Sequence, residues 1–269
     1  MEPINSKSVI AHACGSYNGL IYTNSVEAFN VNYARGFKRF EIDFLLTTNK
    51  DLISLHNAWG YNFISAEDFK RKTLKSKLKY LGTLIGDIPF TVNKENVFSA
   101  YERREQTPIT IYELATLCME YPDVEFILDT KSTNPKKYME QYDIIRLIFE
   151  VLGMDMHQIV PQFYNIDMAV NLLKEFNLPK NIYTLYLQSF NQERILKELD
   201  LCDISAVTIS TGRIDKHPEF IHRLHEVGKE CYTHTATNED EIKKYLQMKA
   251  DSVYTFAKVK VYSDNEQKQ

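Results

Sequence analysis

Short apolar runs alternate with longer segments of helical periodicity almost to the end of this 269-residue chain. The short runs are rich in β-branched residues, whereas the longer segments repeat apolar residues about every 3.6 positions. Repeated units of strand and helix predict a parallel sheet covered by helices. About eight such units in a chain of this length predict a closed (β/α)8 TIM barrel rather than an open doubly wound sheet. No glycine-rich nucleotide-binding motif follows a predicted strand, which also disfavours the open sheet.

The boundaries of these elements follow from local signals. Ser25 and Asn238 can cap helices, and Gly36, Gly153 and Gly228 can end them. The predicted strands are 8–12, 39–46, 52–56, 124–130, 158–163, 182–188, 206–210, 230–235 and 252–256. The predicted helices lie within 25–36, 110–122, 135–153, 165–177, 191–199, 217–228 and 238–249.

Residues 57–106 interrupt the alternation after the third predicted strand. An insertion there would lie at the end of the barrel where active sites form. We therefore predict a single domain over 1–269, with the insertion at its active-site face. Trp59 and Tyr61 are candidates for a lid over the substrate.

The composition excludes several functional classes. A net charge of −4, from 32 basic and 36 acidic residues, provides no basic surface for nucleic acid. No apolar run of about 18 residues occurs, and the N-terminus lacks the pattern of a secretory signal. Cys14, Cys118, Cys202 and Cys231 are far apart, as is typical of reduced cysteines. We predict a cytoplasmic protein without stable membrane insertion, and the sequence makes no prediction of its oligomeric state.

Two acids stand inside an apolar strand. In FEIDF (40–44), Glu41 and Asp43 are two positions apart and therefore project from the same face. If the apolar positions between them face the helices, both carboxylates face the barrel interior or its rim, where burial requires a compensating cation. The alternative is a solvated acid pair next to Lys38 and Arg39.

Other polar residues follow neighbouring strands. His12 ends the first predicted strand, His56 ends the third, and Asp129 with Lys131 ends the fourth. Because the carboxyl ends of parallel strands meet at one face, four strands would bring these residues and the two acids together. Three carboxylates suit Mg²⁺ or Ca²⁺, two histidines suit acid–base catalysis, and a lysine suits a phosphate oxygen. Their joint placement favours the metal site. Gln162, at the end of the fifth strand, either contacts a substrate or bonds to the backbone.

Several motifs occur in a fixed order along the chain: HACG (12–15), TNSVEAF (23–29), FEIDFLLTTNKDLISLHN (40–57), ITIYELATLC (109–118), FILDTK (126–131), PQFYN (161–165), LQSFN (187–191) and GKECYTHTATN (228–238). This order resembles the glycerophosphodiester phosphodiesterase family, whose pattern runs roughly HRG, PENT-x-x-AF, ExDV-x-x-T-x-D-x-x-x-V-x-x-HD and EIK. The resemblance covers nearly the whole chain. It implies a TIM barrel with an insertion after the third strand.

The resemblance also implies an activity. It implies that a small-molecule substrate, a glycerophosphodiester or a related phosphodiester head group, is hydrolysed to glycerol 3-phosphate and an alcohol with the help of a divalent metal. It assigns His12 and His56 as the acid–base pair, Glu41, Asp43 and Asp129 as ligands of a divalent metal, and Lys131 as a phosphate contact.

This chain departs from the family pattern at several positions. Ala13 replaces the arginine of HRG, Thr23 replaces the glutamate of PENT, and Asn57 replaces the aspartate after the second histidine. Asp129 replaces the usual glutamate, which is similar to the spider-venom type phospholipase D enzymes. His234 lies where the family tends to have tryptophan. These departures bear on the substrate more than on the reaction class.

Two other functions are compatible with the sequence. A phospholipase D-like enzyme on the same fold would form cyclic phosphate products. A barrel without catalytic activity would bind a phosphorylated ligand or a partner protein. The histidines at 157, 217, 222, 225 and 234 are predicted to be non-catalytic. His222 and His225 share a helix face, but no acid or cysteine elsewhere completes a zinc site, so a solvated face is predicted. Lining of the pocket is the alternative for His234, which lies at a strand end.

Overall fold

The computed structural model describes residues 3–47, 50–56, 64–65 and 94–263. The strands in these ranges are β1 Ile4–Asn5, β2 Val9–Ala11, β3 Leu20–Ile21, β4 Arg39–Leu46, β5 Leu52–Ser54, β6 Ile64–Ser65, β7 Glu125–Asp129, β8 Ile159–Phe163, β9 Ile182–Thr184, β10 Ala206–Ser210, β11 Glu230–Ala236, β12 Ser252–Thr255 and β13 Val261–Tyr262. The α-helices are α1 Val26–Ala34, α2 Lys94–Glu102, α3 Ile111–Glu120, α4 Pro135–Val151, α5 Ile166–Glu175, α6 Gln192–Leu199, α7 Thr211–Ile214, α8 Glu219–Glu226 and α9 Glu239–Gln247. Short 3₁₀ turns cover Ser6–Ser8 and His12–Cys14.

Eight parallel strands form a closed barrel. Their order around the barrel is β2, β4, β7, β8, β9, β10, β11 and β12, and β12 pairs again with β2. The predicted (β/α)8 barrel is thus confirmed. The carboxyl ends of these strands share one face, which we call the mouth.

The third predicted strand is not part of this barrel. β5 runs antiparallel to β4, with Phe44 opposite Ser54 and Leu46 opposite Leu52. Its prediction as a parallel barrel strand was therefore wrong. The reason is the short connection over 47–51, because a parallel crossover needs about a dozen residues or more. The insertion therefore follows a hairpin built on the second barrel strand.

Part of the insertion lies within the described residues. β6 pairs antiparallel with β3, and the hydroxyl of Tyr101 in α2 lies 2.8 Å from the carbonyl oxygen of Thr23 and 2.9 Å from that of Ser54. These contacts connect the insertion to loops at the mouth. Trp59 and Tyr61, the predicted lid residues, lie outside the described residues.

The alternation of side chains along β4 separates two layers. Phe40, Ile42 and Phe44 are buried between the barrel and its helices. Glu41 and Asp43 project to the other side, into the barrel. Below them the interior is filled by a layer of mainly aliphatic side chains: Ile10, Ile127, Val160, Ile182, Ala206, Tyr232 and Tyr254. This packing leaves the mouth as the end of the barrel where polar groups collect.

The predicted helix boundaries agree with the capping contacts. Ser25 Oγ accepts from the backbone N–H of Ala28 at 3.2 Å, and Asn238 Oδ1 accepts from that of Glu241 at 2.9 Å.

Within the described ranges, no helix is long and apolar enough to cross a membrane.

Candidate active site

The barrel brings the predicted site residues together at the mouth. Asp43, within β4, and Asp129, at the end of β7, are directly opposite each other in the register of these parallel strands. Glu41 lies one pleat below Asp43, and Lys131 follows β7. His12 begins the turn after β2. The structure thus brings His12, Glu41, Asp43, Asp129 and Lys131 to one mouth, and their roles there stay predictions.

Three carboxylates converge in this mouth. One oxygen each from Glu41, Asp43 and Asp129 lies within 4.8 Å of the other two, and all three residues are buried. Carboxylate oxygens at such spacing are ligands suited to a hard divalent cation. The solvated acid pair considered from the sequence is excluded, because Glu41 is 1% and Asp43 0% exposed.

Lys131 supplies a cation inside this acidic cluster. Its Nζ lies 2.6 Å from Asp43 Oδ1 and 2.6 Å from Asp129 Oδ2. Burial opposes its charge, but the carboxylates of Asp129 and Asp43 raise the pKa of Lys131 well above its usual value. The ammonium group therefore occupies the position of a cation between two of the three acids.

One ammonium does not neutralise three carboxylates. Burial and the adjacent Asp43 raise the pKa of Glu41 well above its usual value. Burial also acts to raise the pKa of Asp43, but Lys131 and then the two histidines lower it below its usual value. The cluster is thus short of positive charge near Glu41. A divalent ion would supply that charge, so the donor set fits a metal.

The backbone at position 13 contributes to the same cluster. Ala13 has φ 49°, in the left-handed region, and its N–H donates to Glu41 Oε2 at 2.7 Å. Tyr22, Asn24 and Lys131, which also line the mouth, have positive φ values as well. Non-glycine residues in this region cost conformational energy and collect at functional sites. Where the family pattern has an arginine side chain, this chain provides a backbone donor.

Two residues that sequence reasoning missed hold the acids in place. Asn24 Nδ2 donates to Asp43 Oδ2 at 2.8 Å, and Asn24 Oδ1 accepts from the backbone N–H of Asp43 at 2.9 Å. The hydroxyl of Tyr164 lies 2.7 Å from both carboxylate oxygens of Asp129. Both residues lie in segments that resemble the family, TNSVEAF and PQFYN, and that was the available signal.

His12 is held in one orientation by its neighbours. Its ring stacks on Phe256 with centroids 4.5 Å apart, and its Nδ1 lies 2.9 Å from Thr235 Oγ1. Its Nε2 lies 3.8 Å from Glu41 Oε2. Burial lowers the pKa of His12 well below its usual value, although Asp43 opposes this shift. His12 is therefore neutral at neutral pH, with Nε2 next to the acids.

His56 reaches the mouth through the hairpin rather than through a barrel strand. The backbone N–H of Leu55 donates to the carbonyl of Asp43 at 3.0 Å, which places the next residue beside the acids. The ring of His56 lies 4.0 Å, between centroids, from that of Tyr22. Burial lowers the pKa of His56 to about 3, against the opposing effect of Asp43. His56 is also a neutral imidazole at neutral pH.

Gln162, His222 and His234, which the sequence also singled out, lie in different surroundings. Gln162 pairs with Asp129 in the register, and its Oε1 accepts from the Tyr254 hydroxyl at 2.9 Å. That bond is to a side chain rather than to the backbone, and substrate contact by Gln162 stays a prediction. His222 has an 80% exposed side chain, as expected for a solvated position. His234 lies at the mouth, with its Nδ1 2.8 Å from Thr208 Oγ1.

The side chains at the mouth are of the types that act on phosphate esters. Acids that can hold a metal, a lysine and two neutral imidazoles are groups that suit the transfer of a phosphoryl group to water. The fold and the site together fit a hydrolase of phosphate esters.

Comparison with known families gives the same result. The sequence model of the glycerophosphoryl diester phosphodiesterase family matches residues 14–255. The chain belongs to this family. A comparison with curated proteins found no match.

Solved structures of similar fold share low sequence identity with this chain. A glycerophosphodiester phosphodiesterase from Parabacteroides distasonis has a TM-score of 0.64 at 14% identity, covering 94% of this chain and 94% of its own. The enzyme of that name from Thermotoga maritima has a TM-score of 0.59 at 15% identity, covering 92% and 93%. A phosphodiesterase from Oleispira antarctica, in complex with its product sn-glycerol-3-phosphate, has a TM-score of 0.59 at 19% identity, covering 97% and 94%. These likenesses support the barrel fold.

Proposed function

We propose that this protein hydrolyses a glycerophosphodiester to glycerol 3-phosphate and an alcohol, with a divalent metal and the two histidines His12 and His56. The observation that carries the proposal is the convergence of Glu41, Asp43 and Asp129 within 4.8 Å at the mouth. Family membership supports the reaction class. The sn-glycerol-3-phosphate bound to the Oleispira antarctica phosphodiesterase supports glycerol 3-phosphate as the product of the reaction.

Glu41, Asp43 and Asp129 would hold the metal, which we propose to be Mg²⁺ or Ca²⁺ because every donor is a carboxylate oxygen. When bound, the ion would supply positive charge for the phosphoryl oxygens. Tyr164 and Asn24 keep two of the acids in orientation through their hydrogen bonds. Lys131 is proposed to bind a phosphoryl oxygen as a point charge.

The histidines are proposed to move the protons. One neutral imidazole accepts a proton from the nucleophile, which is water or the glycerol hydroxyl of the substrate. As the new oxygen–phosphorus bond forms, the bond to the leaving alcohol breaks, and the other histidine gives that oxygen a proton. Glu41 lies 3.8 Å from His12 Nε2 and would stabilise an imidazolium there. We therefore assign His12, once it has taken up a proton from solvent, as the proton donor, and His56, which is neutral, as the base.

The proposal is tested with a substrate panel. Purified protein supplied with Mg²⁺ or Ca²⁺ is given glycerophosphocholine, glycerophosphoinositol and lysophospholipids, and phosphomonoester release is measured. At least one substrate is expected to be turned over, and EDTA is expected to abolish the release because the three acids then lack their ion. If no member of the panel is turned over, the proposal is contradicted.

Two alternatives give different results in the same panel. A phospholipase D-like enzyme would release a cyclic phosphate, which phosphorus NMR separates from glycerol 3-phosphate. A barrel without catalytic activity would bind a phosphorylated ligand without turnover. The geometry disfavours the second alternative, because both histidines and all three acids lie at one mouth.

Lys131→Met is expected to change metal binding and turnover in opposite directions. The ammonium group attracts the same two carboxylates as a metal, 2.6 Å from each, so its removal should tighten divalent ion binding by about 10-fold or more. Turnover should fall, because the phosphate loses its contact. Isothermal titration calorimetry with Ca²⁺ measures the first effect.

Lys50→Met is the matched control for that experiment. Lys50 pairs with Glu140 and has a 63% exposed side chain, so its loss should leave Ca²⁺ affinity unchanged. Weaker Ca²⁺ binding in Lys131→Met than in the unmodified protein would contradict competition between the ammonium and the ion.

We propose a single domain over 1–269. Most of the insertion predicted at 57–106 lies outside the described residues. A cytoplasmic location is proposed from four free cysteines, of which Cys14, Cys118 and Cys231 are buried.

A further inference from the structure

We propose that Arg213 and His234 form a second subsite at the mouth, which binds an anionic group on the alcohol part of the substrate. This inference rests on the proposed phosphodiesterase function. It specifies the substrate class as glycerophosphodiesters whose alcohol carries a phosphate monoester or a carboxylate.

The two residues lie across the mouth from the acids. Arg213 is in α7, which begins directly after β10, and His234 is near the end of β11. In the closed ring of eight strands, β10 is four strands from β4 and β11 is four strands from β7. The subsite is therefore on the opposite wall from Asp43 and Asp129. A substrate held at the acids by its phosphodiester would extend its other end toward this wall.

Arg213 is a partly buried cation that lacks an acidic partner. Its Nη1 donates to the carbonyl of Leu185, and its Nη2 donates to that of Gln188 at 2.7 Å. Among the described residues no carboxylate lies within 4.0 Å of it. Burial lowers the pKa of Arg213, and no nearby acid opposes the shift. Removing a charge from water without a counter-charge is unfavourable, so a fixed but unpaired guanidinium indicates a site for an anion.

The carbonyl bonds of Arg213 position it rather than neutralise it. A guanidinium has five N–H donors, and the two carbonyl bonds leave three of them for a ligand. The same loop is connected to the acids, since Gln188 Nε2 donates to the carbonyl of Tyr164 at 2.6 Å and the Tyr164 hydroxyl bonds to Asp129. Arg213 is thus held in a fixed relation to the metal ligands. A purely structural role would not need a permanent positive charge.

His234 adds a polar atom without a partner. Its Nδ1 bonds to the Thr208 hydroxyl at 2.8 Å, whereas its Nε2 is buried and has no hydrogen-bond partner in the described part of the chain. Burial, followed by Arg213 and Lys131, lowers the pKa of His234 to about 4, so the ring is neutral at neutral pH. In the tautomer in which the Thr208 hydroxyl donates to Nδ1, the proton is on Nε2, and Nε2 can then donate to an anionic oxygen.

The side chain of Tyr186 lies next to this wall. Its ring is 6.0 Å from that of His234, edge to face, and the residue is 40% exposed. The ring of Tyr254, in β12, lies 6.3 Å from that of His234. His234 is therefore flanked by one aromatic ring from the loop after β9 and by one from the barrel.

The distribution of cations agrees with a substrate that has two anionic groups. Position 13, next to Glu41, is alanine where the family pattern has arginine, so one cation is missing on the wall of the acids. Arg213 places a cation on the opposite wall. The phosphodiester would contact Lys131, and the second anionic group would contact Arg213 and His234. A neutral alcohol would leave the guanidinium unpaired and should be a poorer substrate.

The test compares two substrates that differ by one phosphate. Glycerophosphoglycerol has a neutral alcohol, and glycerophosphoglycerol phosphate carries a terminal phosphate monoester. The ratio of their kcat/KM values is expected to favour the second by about 10-fold or more, as a charge-assisted hydrogen bond implies. In Arg213→Met this ratio should fall about 10-fold, and in His234→Phe by about 5-fold. Arg213→Lys should keep part of the preference because it keeps the charge.

Arg146→Met is the control for loss of a surface guanidinium. Arg146 lies on the outer helix α4 and pairs with Asp143, so its substitution should leave the ratio unchanged. A ratio near one in the unmodified protein, or a ratio unchanged in both Arg213→Met and His234→Phe, would overturn the subsite.

The inference can fail separately from the proposed function. If neither of these compounds and no member of the substrate panel is turned over, the hydrolase proposal fails, and calorimetric binding of the same two compounds still gives the affinity ratio. A preference of about 10-fold for the phosphorylated compound supports the subsite. Equal affinities overturn it. If Arg213→Met does not fold, as judged by circular dichroism, the Arg213→Lys and His234→Phe ratios decide.

Discussion

Replacing His12 or His56 by alanine is expected to lower kcat for glycerophosphodiester hydrolysis by about 10²–10⁴-fold. Burial lowers the pKa of both imidazoles, so neutral His56 can accept a proton, whereas His12 is proposed to give one to the leaving oxygen after taking it up from solvent. The rings are held by Phe256 and Tyr22 respectively, and water is a poor substitute for a group held in this way. Initial rates at saturating metal and substrate measure the effect.

Measurement of metal affinity distinguishes a loss of proton transfer from a disturbance of the three carboxylates. Neither histidine is assigned as a metal ligand, so Ca²⁺ binding by calorimetry should remain in both variants. His222→Ala is the control, since its side chain is 80% exposed and pairs with Glu226 on the same helix. A His56→Ala protein as active as the unmodified one would remove His56 from the proposed mechanism.

Asp43→Asn is expected to lower divalent ion affinity by at least about 100-fold and to abolish most activity. Changes to residues that merely orient a metal ligand cost about 10–100-fold in affinity, so loss of a ligand's charge should cost more. Asn keeps the shape of the side chain, so the contact with Asn24 can persist. Calorimetry with Ca²⁺ and Mg²⁺, together with the rate at saturating metal, measures both effects.

The matched control is an aspartate remote from the mouth. Asp155 has a 77% exposed side chain and contacts His157, so Asp155→Asn should keep both metal affinity and rate. Unchanged metal affinity in Asp43→Asn would contradict the assignment of the three acids as the metal site.

The barrel and half of the site could be predicted because they depend on local pattern. Alternation of strand and helix signals indicates the closed parallel sheet, and i, i+2 spacing places Glu41 and Asp43 on one face of β4. The ends of β2 and β7 add His12, Asp129 and Lys131 through a general property of parallel barrels.

The hairpin was the main error in the predicted topology. An apolar run such as LISLH has the same composition in a barrel strand and in an antiparallel strand beside it. Its connection to β4, over 47–51, is too short for a parallel crossover, and this length was the overlooked signal. His56 still reaches the mouth, because Leu55 bonds to Asp43 next to it.

The orienting residues could not be found from spacing alone. Asn24 is 19 positions from Asp43, Tyr164 is 35 from Asp129, and Thr235 is 223 from the histidine it contacts. No periodic pattern connects positions so far apart. The left-handed backbone at Ala13, which turns its N–H toward Glu41, could not be predicted either, because alanine is not a residue type that favours positive φ.

A phosphorus NMR time course of a glycerophosphodiester with the purified protein tests metal-dependent hydrolysis at the mouth most directly. With Mg²⁺ or Ca²⁺ present, the diester signal should be replaced by that of glycerol 3-phosphate, and EDTA should stop the change. A diester signal that stays constant with either metal, or the same rate of product formation in EDTA, would contradict metal-dependent hydrolysis at Glu41, Asp43 and Asp129.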